Sequence, residues 1–167
     1  MDAEINKTID LLESYIDNPQ EGLPEQVFLF LSRLTPMINV DLLIKNEQGQ
    51  TLLTWRKDNY WAPGWHIPGG IIRFKEKISD RIKAVALNEL GAKVKFKTEP
   101  LATNEIIHPA RMERGHFISM LYECTLSSPL DEKLKYTTGT PENGAWAWHD
   151  KCPGNLLEVH ELYRKFI

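Results

Sequence analysis

The segment from Gly64 to Gly91 holds the side chains whose types and spacing point most directly to chemistry. Residues 78–91 follow a helical pattern that stops at Gly91, a residue suited to ending a helix. At about 100° per residue, Ile78, Ile82 and Val85 share one stripe, and Glu89 falls in its middle. A carboxylate on an apolar stripe is destabilising unless something neutralises it: a buried arginine, a raised pKa or a metal ion. Helical geometry alone leaves all three open. Just upstream the chain reads Gly64-Trp65-His66-Ile67-Pro68-Gly69-Gly70-Ile71-Ile72-Arg73-Phe74-Lys75-Glu76. Gly69 and Gly70 let backbone N–H groups approach an oxygen-rich ligand. Glu76 stands just before the helix, where a carboxylate can cap N–H groups and also face Glu89. A plain Gly-Gly turn between strand and helix accounts for the same residues equally well.

Further candidates lie outside this block. His116 opens a strand after Arg111-Met112-Glu113-Arg114-Gly115, and the ordinary titration range of histidine suits general-base work. His108 lies in the same loop, with Glu105 before it. Each is a candidate base and each is equally readable as a surface histidine. Arg111 and Arg114 could hold phosphate or belong to a solvated loop. His66 reads as packing beside its loop, and His149 and His160 as exterior. Of Trp61, Trp65, Trp146 and Trp148, one could stack on a base or sugar face, while most read as core or loop anchors. Cys124 and Cys152 make no zinc-ligand spacing and read as free thiols.

The elements that must position these groups follow from periodicity. Ile5, Ile9, Leu12 and Ile16 mark a first helix, broken at Asn18-Pro19-Gln20-Glu21-Gly22. Pro24 opens a second helix through Val27, Phe28, Leu31 and Leu34, which Pro36 ends. These form an N-terminal helical extension, residues 1–35, able to cover a sheet edge or make a dimer contact. Ile38–Ile44 reads as a strand, with Thr51–Trp55 as its hairpin partner across the turn Asn46-Glu47-Gln48-Gly49. A short strand spans Trp65–Ile67. After the helix come strands at about 93–107, 116–126 and 144–148, then an amphipathic helix over Asn155–Ile167, with Leu156, Val159, Leu162, Tyr163 and Phe166 on one side. The order predicts an α/β fold with a mixed sheet between helices over residues 36–167.

Bulk composition narrows the function classes. The 167 residues are 42% hydrophobic and 26% charged, ordinary values for a globular domain. A formal net charge of -3 provides no general attraction to nucleic acid, so phosphate binding must come from local groups. No apolar run approaches the roughly 20 residues that span a bilayer, and the polar start from Met1 to Lys7 lacks a signal core. These features predict a cytoplasmic protein with no membrane partner.

The block around Glu89 resembles the Nudix box, G-x5-E-x7-R-E-U-x-E-E-x-G-U, where U is a bulky apolar residue. Gly70, Glu76, Glu89 and Gly91 occupy its fixed positions, and Pro68-Gly69-Gly70 matches the common P-G-G lead-in. The resemblance implies a Nudix-like α/β/α sandwich. The chain departs from the pattern at Ala84 (for Arg), Val85 and Asn88 (for Glu) and Ala92 (for a bulky apolar residue). A helix with one remaining carboxylate cannot hold a cluster of two or three magnesium ions.

A similarly reduced box occurs in the GDP-mannose mannosyl hydrolases, which the chain resembles in the W-x-x-P-G-G lead-in and in Asn88-Glu89-Leu90-Gly91. That resemblance implies hydrolysis of a nucleoside diphosphate sugar at the sugar C1, with one Mg2+ (or Mn2+), and a homodimer. It implies that Glu89 and Glu142, and by proximity Glu76, contribute to metal binding. It further implies that Asp41, Arg56, Arg73, Gly69 and Gly70 bind substrate, with Arg56 also stabilising the departing diphosphate. Two positions depart: Ile71 replaces an arginine, with Arg73 close by, and Asn143 replaces the likely base. Asparagine accepts no proton at neutral pH, so His116 and His108 remain as candidates. The other readings are a non-catalytic Nudix module that binds a nucleotide-sugar or partner protein, and an ordinary pyrophosphohydrolase.

Overall fold

The computed structural model describes residues 2–167. Two helices, α1 (Asp2–Glu13) and α2 (Glu25–Leu31), precede strand β1 (Met37–Ile44). Strands β2 (Thr51–Arg56), β3 (Gly64–His66) and β4 (Gly69–Ile71) lead to helix α3 (Ile78–Leu90). Strands β5 (Val94–Phe96), β6 (Ala102–Ile107), β7 (His116–Leu126) and β8 (Trp146–His149) follow. The 3-10 segments Glu132–Leu134 and Glu158–Phe166 complete the order.

The strands form two sheets. In the larger, β1 runs parallel to β7 from Met37↔Phe117 to Ile44↔Cys124 and antiparallel to β4, with Asp41 opposite Gly69. Strands β5 and β6 add to β7 antiparallel, which makes this sheet mixed. In the smaller, β2 pairs with β3 and β8, both antiparallel. The turn at 46–49 forms as expected, closed by Asn46 Oδ1, which accepts from the N–H groups of Gln48 and Gln50. Its flanking strands do not form a hairpin: beyond the single bridge Lys45↔Thr51 they part into different sheets.

Period-two alternation along β1 sets the two cores. Val40, Leu42 and Ile44 point to α3, where they meet Ile82, Val85 and Leu90. Leu43 points to the opposite side, where Leu53, Ile67, Leu121, Leu156 and Tyr163 gather. Each large apolar side chain buried in these layers stabilises the fold by about 1.5–3 kcal/mol. The sheets are thus sandwiched between α3 and the C-terminal segment, an α/β/α arrangement. Asp41 shares the face of Leu43, which makes it a carboxylate in an otherwise apolar strand interior.

Several expectations need correction. The region 93–107 is two strands separated by a break around Pro100. Ile78 is 38% exposed, although it shares the helical stripe of the buried Ile82 and Val85. The C-terminal segment is a 3-10 helix. With three residues per turn, His160 and Tyr163 fall in one row and both are buried, whereas an α-helical wheel places His160 outside. His149 is not exterior either: its ring packs edge-on against Trp65, 4.7 Å between centroids. Helix α1 has no buried residue among those described: its stripe, Ile5, Ile9 and Leu12, stands beside Phe30 of α2 and stays largely exposed. The α2 region does pack on the domain: Ser32 Oγ accepts from the Arg114 N–H (3.0 Å), and Tyr60 donates to Glu25 (2.8 Å).

Candidate functional site

A cleft of about 860 Å3 opens where β1, β2, β3, β4 and α3 meet, and residues 19–31 form one of its walls through Pro19, Gly22, Leu23, Phe28 and Leu31. Glu89 lines it from α3. Its Oε1 accepts from the Gly69 N–H at 3.2 Å and its Oε2 from the Thr54 hydroxyl at 3.2 Å. His66 Nε2 lies 3.5 Å from the same Oε2. The other ring nitrogen, Nδ1, lies 2.9 Å from the Thr54 carbonyl. A carbonyl only accepts, so Nδ1 carries the hydrogen and Nε2 is the nitrogen turned to Glu89. Among the described residues no arginine or lysine pairs with Glu89. Of the three ways to tolerate this carboxylate, pairing with a buried arginine is therefore absent.

Asp41 lies beneath Gly69. Its Oδ2 accepts from Tyr163 (2.7 Å) and from Ser119, and its Oδ1 accepts from Asn39 Nδ2 (3.1 Å). Burial pushes the Asp41 carboxyl up to about 6. The Ser119 and Tyr163 hydrogen bonds and the charge of His66 oppose that rise, and Glu89 adds to it. A Cβ on Gly69 would meet Asp41 Oδ1 at 2.1 Å and the Val40 carbonyl at 3.0 Å, so only glycine lets β4 cross the carboxylate. His160 closes the inner end. Its Nδ1 accepts from the Ile67 N–H, and burial, then His66 and Arg56, hold its pKa well below the ordinary value.

Cations line the same cleft. Arg56, at the end of β2, is anchored through Nε to Asp58 (2.5 Å), and Asp58 also accepts from the N–H groups of Tyr60 and Trp61. Arg73 reaches across to the Gln20 carbonyl (3.3 Å). Arg81 is buried and holds Glu76 through Nε and Nη2, each at 2.8 Å. Arg114 lines the wall beside α2.

The structure thus brings Asp41, Arg56, Arg73, Gly69, Gly70 and Glu89 into one cleft. It does not bring four other expected residues there. Glu76 is bound to Arg81 and accepts from the Arg73 N–H, so it neither caps α3 nor faces Glu89. Glu142 is exposed in the turn before Ala145, whereas its neighbour Asn143 lines the cleft. His116 is turned away because Phe117, next to it on β7, points in; His116 meets Glu105 on the outer face at 3.3 Å. His108 packs against the Trp61 ring, 5.7 Å between centroids, outside the lining. In their place stand His66 and Thr54, with the buried Ser119–Tyr163 pair behind Asp41. The alternation Gly64-Trp65-His66-Ile67 was the one available signal for His66, since it puts Trp65 and His66 on opposite faces of β3.

The donor set decides what metal fits. Among the described residues no three His, Cys, Asp or Glu side chains form a group able to hold an ion. With Glu76 paired to Arg81, Glu89 and Asp41 are the cleft carboxylates that no arginine or lysine meets among the described residues, and Asp41 is committed to Ser119 and Tyr163. That set fits one magnesium bound by a carboxylate, waters and substrate phosphates, and does not fit a multi-metal cluster.

No family model matches the chain. It is 29% identical over 126 residues to the low-salt glycan biosynthesis protein Agl8 of Haloferax volcanii, covering 73% of this chain and 78% of that protein. A MutT NUDIX hydrolase from Burkholderia pseudomallei superimposes with a TM-score of 0.64 at 20% identity, over 80% of this chain and 98% of the other. A NUDIX-family hydrolase from Clostridium perfringens gives 0.56 at 17% identity, over 79% and 96%. Together with a mixed sheet centred on β1 and β7, and Gly-Gly leading into the helix that bears Glu89, these likenesses establish that the chain has the Nudix hydrolase fold.

Proposed function

We propose that this cleft binds a nucleoside diphosphate derivative, in the first place a nucleotide-sugar, and hydrolyses it with one magnesium (or manganese) ion held by Glu89. The observation that carries the reading is the Glu89 carboxylate. It lines the cleft, is oriented by the Gly69 N–H and the Thr54 hydroxyl, and has no arginine or lysine against it. The metal would neutralise charge on the diphosphate. Arg56, held in place by Asp58, offers its remaining guanidinium N–H groups to phosphate oxygens. Negative charge that gathers on a departing diphosphate is stabilised by such preorganised cations. With His116 and His108 outside the cleft, the candidate bases become Asp41 and His66, which line it beside Glu89. The likeness to a protein named for glycan biosynthesis supports a glycosyl-bearing substrate.

A panel of nucleotide-sugars and nucleoside diphosphates with magnesium tests this. Free sugar plus nucleoside diphosphate is the expected product pair. Sugar phosphate plus nucleoside monophosphate would indicate a pyrophosphohydrolase. No turnover, with a ligand-induced rise in Tm, would indicate a binding module, a reading favoured by the neutral residues Ala84, Val85 and Asn88 on α3. Glu89→Gln should lower kcat/KM by about 100-fold or more and raise the magnesium concentration needed for half-activity. Unchanged metal dependence in that variant refutes the site. The homodimer that the resemblance implies is part of this proposal and is checked by sedimentation, as is the cytoplasmic location suggested by composition, checked by cell fractionation.

A further inference from the structure

We propose that Arg111 and Arg114 form a second oxyanion subsite in the cleft wall shared with α2, receiving an anionic group of the substrate that Glu89 and its metal do not hold. The inference rests on the cleft being the substrate site.

The loop from His108 to Gly115 is built to present these two guanidinium groups. It is closed by the His108 N–H on the Gly115 carbonyl (2.7 Å) and the Arg111 N–H on the His108 carbonyl (3.1 Å). A Cβ on Gly115 would lie 2.3 Å from the Arg111 carbonyl oxygen, so the closure requires glycine. Arg114 has φ 52°, a left-handed conformation unfavourable for a side-chain-bearing residue, and its N–H is tied to the buried Ser32 hydroxyl. Strain of this kind persists where surrounding structure enforces it, and it gathers at ligand sites.

The guanidinium groups themselves lack acceptors. Arg111 lies over Trp61, 4.2 Å from Cζ to the ring centroid, and Arg114 lies over Tyr60 (4.7 Å) and Phe28 (5.5 Å). These rings cover the planar faces but leave the in-plane N–H groups for an oxygen acceptor. Arg111 Nη1 and Arg114 Nε are buried and make no hydrogen bond among the described residues. The acids on neighbouring elements are committed elsewhere: Asp58 to Arg56, Glu113 to Arg33, Glu25 to Tyr60 and Glu105 to His116. Burial, then the nearby Arg56, holds the Arg114 guanidinium below its usual pKa, and Arg111 acts in the same direction. Two half-buried cations, each with a buried orphaned donor atom and no carboxylate partner among the described residues, destabilise the free protein. An oxyanion bound at Arg114 on the cleft wall would gain charge-assisted hydrogen bonds, reinforced by the charge of Arg111, which stands over the lining Trp61. Because Arg114 and Phe28 line the same cleft as Glu89, that oxyanion belongs to the molecule the cleft binds. Its chemistry is a phosphate of the diphosphate or a carboxylate on the glycosyl group.

Calorimetry on the full chain with inorganic pyrophosphate, UDP-glucose and UDP-glucuronate, each with magnesium, tests the subsite. Arg114→Gln and Arg111→Gln should each weaken binding by about 10- to 100-fold. An equal loss for all three probes assigns the subsite to phosphate, and a loss confined to UDP-glucuronate assigns it to a sugar carboxylate. Wild-type affinity for every probe in both variants overturns the proposal, as does failure of the wild type to bind any of them. Glu89→Gln, run in parallel, separates the two readings. If it retains full magnesium dependence while Arg114→Gln loses affinity, the metal site fails and the subsite stands. Thermal unfolding controls for folding: the variants should melt no lower than the wild type, since each loses a cation that has no carboxylate partner. Should Arg114→Gln misfold at its left-handed position, Arg111→Gln carries the same test.

Discussion

Asp41 gives a test of the site that needs no substrate. Its carboxyl is fully buried, and burial raises its pKa from 3.8 to about 6. Between these values the folded protein binds a proton that the unfolded chain has released. Stability associated with this group is therefore fully present below about pH 3.8 and is lost as pH rises through about 6. The rise from 3.8 to about 6 corresponds to about 3 kcal/mol in total. Roughly 2 kcal/mol of that falls between about pH 4.5 and about pH 7.5. Asp41→Asn keeps an oxygen that can accept from Ser119 and Tyr163, and it carries no charge at any pH. Its stability relative to wild type should therefore improve by about 2 kcal/mol across that interval. Urea unfolding of both proteins at a series of pH values measures the difference, in which the other carboxylates cancel. Glu89 pushes the Asp41 carboxyl up and His66 pulls it down, so the same comparison in a Glu89→Gln background should give a smaller change. A difference that is constant with pH, or that runs the other way, refutes the picture of a destabilised carboxylate under β4.

Four other outcomes follow from the same geometry. Gly69→Ala forces a Cβ against Asp41 and the Val40 carbonyl, and should lower stability by about 1–3 kcal/mol in chemical unfolding. Glu76→Ala leaves the buried Arg81 unpaired and should be destabilising by about 3–5 kcal/mol; Glu76→Leu combined with Arg81→Leu should recover most of that. Thr54→Val removes the hydroxyl that orients Glu89 while preserving side-chain shape, and should reduce kcat/KM about 10-fold or more with little change in Tm. Tyr163→Phe removes a donor to Asp41, so the midpoint of the Asp41-linked stability change should move to higher pH in the urea series.

What could be read before the structure was whatever depends on one element at a time. Glu89, Gly69 and Gly70 belong to a strand, turn and helix contiguous in the chain, so their spacing carried their geometry. Asp41 and Arg56 followed from the resemblance alone, and β1 and β2 set both on the cleft lining. The misplacements share another cause, which is relations between elements. Whether His116 or Phe117 points inward depends on the pairing of β7 with β1, where a shift of one residue exchanges the faces. The pairing of Glu76 with Arg81 depends on how the loop before α3 folds back on the helix. His160 reads as exterior on a helical period of 3.6, whereas the segment adopts 3.0 and buries it in one row with Tyr163. The part played by residues 19–31 was invisible in the sequence because their apolar pattern is satisfied equally by a sheet edge, a second copy or a ligand cleft.

The reduced box changes where the cleft gets its charge. On α3 the residues at 84, 85 and 88 are alanine, valine and asparagine, and Val85 packs so closely under Gly70 that a Cβ there would meet it at 2.8 Å. An acidic side chain at 85 would have to be buried in that contact, so its replacement by valine tightens the packing of β4 on the helix as it removes a ligand. Meanwhile Arg56, Arg73, Arg81 and Arg114 all line the cleft, and of these Arg81 is occupied by Glu76 and Arg56 in part by Asp58. A cleft of this make-up is better suited to stabilising an anion that departs than to assembling several metals around an attacked phosphorus. On the proposed reading, cleavage therefore falls between sugar and diphosphate, where the developing charge lies on the group the arginines hold. A product mixture dominated by nucleoside monophosphate would show that this balance of charge has been misjudged, even with the fold and Glu89 in their assigned places.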